Sequence, residues 1–99
     1  MSEIYTLPKL KTILEPIFTQ YGIQKAVVFG SYGKGTATEK SDIDLLVDSG
    51  LHGLRFVGLL DDIRNAVGKD VDLFDVTHIQ AGSRIDQEIQ KTGVTVYEK

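Results

Sequence analysis

The stretch Val27-Val-Phe-Gly-Ser-Tyr-Gly-Lys-Gly-Thr-Ala-Thr-Glu-Lys-Ser-Asp-Ile-Asp-Leu-Leu-Val-Asp48 decides the fold. It reads as a short apolar strand, a glycine-rich turn opening on Gly30-Ser31, a polar loop, and a second strand. That second strand carries Asp42 and Asp44 near its start. Side chains alternate along a strand, so the two aspartates share one face and Ile43 turns to the other. Two carboxylates this close repel, and a cation or a shared proton relieves the repulsion. A glycine turn nearby can offer backbone N–H groups to an anion. A site for divalent cations beside a site for phosphates points to metal-nucleotide chemistry.

Outward from this centre, helices and strands alternate. Thr6-Leu7-Pro8 has the form of a helix start, with Thr6 as the N-cap and Pro8 in the first turn. Leu7, Leu10, Ile13, Leu14, Ile17, Phe18 and Tyr21 then recur at helical spacing up to Gly22. Pro16 lies inside that pattern and predicts a kink or a division. Gln24 to Phe29 reads as a buried strand and Ile43 to Val47 as the next. Phe56, Leu59, Leu60, Ile63 and Val67 outline a second amphipathic helix closed by Gly68. Val71 to Val76 is a third strand, Ile79 to Thr92 a third long helix with Ile85 and Ile89 inward, and Val94 to Tyr97 a last strand at an edge. The class is α/β or α+β, a small mixed β-sheet flanked by helices.

With 99 residues the chain has room for one core, so residues 1–99 are expected to form a single domain. The net charge is −3 and no lysine–arginine run occurs, which excludes an extended nucleic-acid groove. There is no cysteine, hence no disulfide and no thiolate metal site; a cytoplasmic setting is expected. No apolar run approaches the roughly 18 residues of a membrane span. The opening Met-Ser-Glu-Ile-Tyr lacks the basic-then-apolar pattern of a signal peptide.

Asp72, in the third strand, is the carboxylate that could complete the site. Strands separated by one helix commonly lie side by side, which would bring it to Asp42 and Asp44. Three aspartates on two adjacent strands can hold two Mg²⁺ ions, which keep positions for water and substrate phosphate. Such a pair stabilises the attacking and leaving oxygens of an in-line displacement at phosphorus. No Ser–His–Asp or Cys–His arrangement competes, and neither histidine has metal-ligand spacing.

Gly30-Ser31, ten intervening residues and Asp42-Ile43-Asp44 resemble the signature of the DNA polymerase β-like nucleotidyltransferase superfamily. The chain length and the wording Phe-Gly-Ser-Tyr-x-Lys-Gly are similar to its minimal nucleotidyltransferase (MNT) domain. The resemblance implies the nucleotidyltransferase fold, like the palm of polymerase beta. It implies that Gly30 and Ser31 hold the triphosphate of a nucleotide donor and that Asp42, Asp44 and Asp72 bind Mg²⁺. Lys34 stands where many members have arginine and is a further nucleotide-binding candidate; a lysine there is equally a surface residue. Minimal domains of this kind work with a helical partner of the HEPN type as toxin and antitoxin. Some transfer AMP from ATP to a tyrosine of that partner. The alternative is an antitoxin that neutralises its partner by binding alone.

Other residues take plainer readings. Asp48, Asp70 and Asp75 read as strand-end or surface charges, His52 as a loop residue and His78 as a cap or surface residue. Arg55 and Arg64 belong to a solvated face. Tyr32 packs on the turn, and Tyr32, Leu51 and Phe56 are candidates for an apolar rim that a partner would cover.

Overall fold

The computed structural model describes residues 4–99. Helix α1 (Leu7–Tyr21) begins as its cap predicts. The Thr6 hydroxyl accepts from the Lys9 amide, and Pro8 occupies the first turn, where no amide is needed. Leu10, Leu14 and Phe18 form its buried stripe, and Gly22 closes it in the left-handed region at φ 69°. Pro16 does not divide the helix, which runs through it unbroken. Pro16 and Thr12 are both exposed, so the Thr12 carbonyl that loses its amide partner meets water instead.

The rest follows as β1 (Lys25–Phe29), α2 (Gly30–Lys34), β2 (Ile43–Asp48), α3 (Leu54–Val67), β3 (Val71–Asp75), α4 (Arg84–Thr92) and β4 (Val94–Glu98). The four strands form one mixed sheet in the order β3-β2-β1-β4. β1 is antiparallel to β2 and β4, while β2 and β3 are parallel, as a helical crossover between them requires. β4 lies at an edge, as expected. Ala26, Val28, Ile43, Leu45 and Val47 form the buried face of the sheet, packed with the α1 stripe and with Leu59, Ile63 and Val67 of α3. The opposite face carries Val27, Asp44, Leu46 and Phe74, all only half-buried, with α2 and α4 packed together beside β1. One face is therefore core, and the other, buried at Phe29, stays only half-covered at Asp44.

Two expectations are corrected. The third long helix starts at Arg84 rather than Ile79, because Gly82 takes φ 79° and the Ser83 hydroxyl accepts from the Asp86 amide as N-cap. The segment ahead of it holds a short 3-10 turn, Val76–His78. Asp75, read from the sequence as a surface charge, is only 2% exposed. Its carboxylate accepts from the amide and hydroxyl of Ser49 (3.0 and 2.6 Å) and from the amide and hydroxyl of Thr77 (3.0 and 2.7 Å). It thus ties the loop after β2 to the end of β3. His78 caps the same turn by accepting from the Asp75 amide.

Burial by itself would raise the Asp75 pKa, but the Ser49 and Thr77 bonds outweigh it and hold the group at about 2. A carboxylate whose folded pKa lies below its unfolded value stabilises the fold above the unfolded value, about 3.9. That contribution should vanish as the pH falls from about 4 towards about 2. Asp75→Ala is expected to cost about 2 kcal/mol at neutral pH, leaving the Ser49 amide without its partner. The difference between wild type and variant should shrink in denaturant melts below about pH 4. A pH-independent difference would show that the carboxylate charge is not what stabilises this junction.

Candidate active site

The site lies where β1 ends beside β2. The antiparallel register sets Phe29 opposite Asp44, and the parallel register sets Asp44 opposite Asp72. Partners in register share a face, so Asp44 and Asp72 stand side by side on the open face of the sheet. The chain leaves Phe29 through Gly30, at φ 70°, directly against Asp44. A Cβ at Gly30 would collide with the Asp44 Oδ2 atom. Glycine is needed here for two reasons, the left-handed backbone and the approach of the carboxylate.

Asp44 is half-buried while Asp42 and Asp72 are exposed. Burial first, and then the neighbouring Asp72 carboxylate, close enough to share a proton, push the Asp44 pKa up to about 6; Asp42 and Glu88 add to the effect. The three aspartates expected to act together are therefore electrostatically coupled. Among the described residues, no three histidines, cysteines or acids form a ready cage for an ion. This donor set suits a cation that takes one or two carboxylates and completes its shell with water and phosphate oxygens, the habit of Mg²⁺.

Ser31 is half-buried at the start of α2. Lys34, at the end of the same short helix, lies with its Nζ 3.8 Å from Glu88 Oε1 of α4. Both side chains are well exposed, so the pair adds little stability. It does keep the ammonium next to the acidic cluster. Glu88 had no signal in the sequence, where it is one acid among several on a polar helix; only the packing of α4 beside α2 brings it to Asp44. Asp42 also lines an open cleft of about 550 Å³ with Glu39, Lys40, Ser41, Arg64, Lys69 and Asp70. Arg64 and Asp70 are exposed there, as expected, and so are Arg55, Asp48 and His52 elsewhere.

The expected apolar rim is corrected in part. Tyr32 is 3% exposed and belongs to the core, so it packs as expected but cannot face a partner. Leu51 and Phe56 are half-buried against that core. The freely exposed apolar side chains of α3 are instead Leu54 and Val57, in its first turn and away from Asp44.

A profile of the family described as polymerase beta, nucleotidyltransferase, matches residues 11–99. The protein adenylyltransferase MntA of Thermococcus cleftensis is 33% identical over 85 residues, spanning 78% of this chain and 84% of that protein. A chain from a crystal structure of a toxin–antitoxin with AMP-PNP superposes with a TM-score of 0.72 at 24% identity, over 90% of this chain and 73% of that one. A chain from the complex of tri-AMPylated Shewanella oneidensis HEPN toxin with MNT antitoxin gives a TM-score of 0.68 at 20% identity, over 94% and 73%. At these identities the two structures speak for the fold.

Proposed function

Because this chain belongs to the polymerase beta nucleotidyltransferase family, we propose that it is an antitoxin that transfers AMP from ATP to a tyrosine hydroxyl of a HEPN-type helical toxin. The observation that carries the reading is the alignment of Gly30, Asp44 and Asp72 across three adjoining elements. It sets a glycine turn against two coupled carboxylates on an open sheet face. The name of the Thermococcus cleftensis relative supports a protein acceptor, and the Shewanella oneidensis complex supports a HEPN partner that carries AMP.

In this mechanism Asp42, Asp44 and Asp72 would hold two Mg²⁺ ions, and Ser31, with Gly30 shaping the turn and Lys34 supplying charge, would hold the triphosphate. When bound, the ions neutralise charge on the phosphates and on the attacking and leaving oxygens. The acceptor oxygen bonds to the α-phosphorus while the bond to the bridging oxygen of the β-phosphate breaks, and pyrophosphate leaves. The hydroxyl proton passes to a carboxylate of the cluster or to water. Positioning and charge account for the rate, and the chain needs no covalent intermediate. A docked partner supplies the in-line hydroxyl, since no lysine–arginine run is present to track RNA.

Incubation of the chain with MgATP and its HEPN-type partner should add AMP to the partner, read by intact mass and peptide mapping. A partner that binds stoichiometrically and stays unmodified would favour neutralisation by binding alone. Labelling of a small molecule or an RNA end instead would overturn the proposed acceptor.

The open face also predicts weak nucleotide binding by the chain alone. Asp72 is exposed, and tight sites usually enclose most of their ligand. ATP with Mg²⁺ is expected to bind no tighter than about 1 µM, about −8 kcal/mol. Calorimetry giving a submicromolar Kd for the isolated chain would contradict this expectation.

A further inference from the structure

We infer that Thr92, the last residue of α4, is a positioning residue that holds the Gly30–Ser31 turn against Asp44. The inference rests on the nucleotidyltransferase reading of that turn. The Gly30 amide donates to Thr92 Oγ1 at 2.8 Å, and the same hydroxyl donates to the Glu88 carbonyl at 2.7 Å. One hydroxyl thus accepts from the turn and donates to its own helix, which fixes its orientation from both sides. Thr92 is 7% exposed, so neither bond competes freely with water.

A second contact reinforces the first. A Cβ at Gly33 would collide with the Thr92 carbonyl oxygen and approach the Val28 carbonyl to 3.1 Å. The backbones of α2 and α4 therefore touch, and Gly33 is the residue that permits it. Helix α2 has only five residues and no side-chain hydrogen bond at its N-cap, Phe29. So short a helix does not hold its own place. The end of α4 does, and through it the distance from the turn to Asp44 is set. The Thr92 bond also occupies the Gly30 amide, which leaves Ser31 and the residues after it to meet a phosphate.

The test compares Thr92→Val with Thr92→Ser in the full chain. The valine keeps the shape and loses both hydrogen bonds, while the serine keeps both. At a temperature where all forms are folded, Thr92→Val should lower kcat for AMP transfer about 10- to 100-fold, the cost of a displacement near 1 Å. It should also speed hydrogen exchange at the Gly30 amide, and Thr92→Ser should restore both. Gly33→Ala, which forces the two backbones apart with the hydroxyl intact, serves if the valine variant does not fold; the same fall in kcat is expected. A variant with a lower melting temperature but unchanged kcat would overturn the inference, because Thr92 would then be structural only. Should the wild-type chain transfer no AMP to any partner, the reading of function fails by itself. The role of Thr92 is then read from Mg²⁺-dependent binding of AMP-PNP, which the valine should weaken and the serine should not. Equal affinities in all three forms would overturn it.

Discussion

Asp44→Asn is expected to reduce AMP transfer at least about 10³-fold, equivalent to about 4 kcal/mol of lost transition-state stabilisation, while the chain melts no lower than wild type. The two effects have one cause. Asp44 is half-buried between the Gly30 backbone and the Asp72 carboxylate, and its pKa of about 6 reflects that burial and crowding. Removing its charge relieves the metal-free fold. It also replaces an anionic carboxylate, the donor a magnesium ion would favour, with a neutral amide. Asp42→Asn should act in the same direction on transfer, with less effect on melting because Asp42 is exposed. AMP incorporation into the partner checks the first half, thermal melts check the second, and calorimetric titration with Mn²⁺ checks the metal ligands. Unchanged Mn²⁺ affinity in both variants would remove Asp42 and Asp44 from the metal site.

Gly30→Ala should be nearly as damaging, for a different reason. An alanine at φ 70° carries the cost of left-handed backbone, about 1–2 kcal/mol. Its Cβ would also press into the Asp44 carboxylate. The turn or the aspartate must shift, and a shift of about 1 Å is expected to lower transfer about 10²-fold. Gly35 supplies the control. It has φ 79°, and a Cβ there would meet nothing within 4 Å, so Gly35→Ala should show the strain without the loss of rate. If both alanine variants lose stability alike and both keep full transfer, the contact between Gly30 and Asp44 has no part in the reaction.

Much of this site was legible because its chemistry is local in the chain. Gly30-Ser31 and Asp42-Ile43-Asp44 lie within fifteen residues of one another, although β2 begins only at Ile43, so Asp42 lies just before the strand whose alternation was expected to set it on one face with Asp44. Asp72 could be brought in by the rule that strands joined through a helix tend to pair, and its register with Asp44 agrees. Other features depend on partners distant in sequence. Asp75 looked like a surface charge because its hydrogen-bond donors include Ser49, on another loop. Tyr32 looked able to face a partner, since nothing in a glycine-rich turn announces that its one aromatic ring enters the core.

The sequence by itself determined the alternation of helices and strands, the buried stripes of α1 and α3, and the placement of carboxylates beside a glycine turn. These follow from periodicity, capping and the steric freedom of glycine, which act over a few residues. Only the tertiary structure decided that Glu88 joins the acidic cluster and that Thr92 grips the Gly30 amide. Those facts depend on how α4 packs against α2, where two backbones come into contact across some sixty residues of chain. No local pattern encodes that approach; a threonine and two glycines acquire their roles when the sheet brings them together.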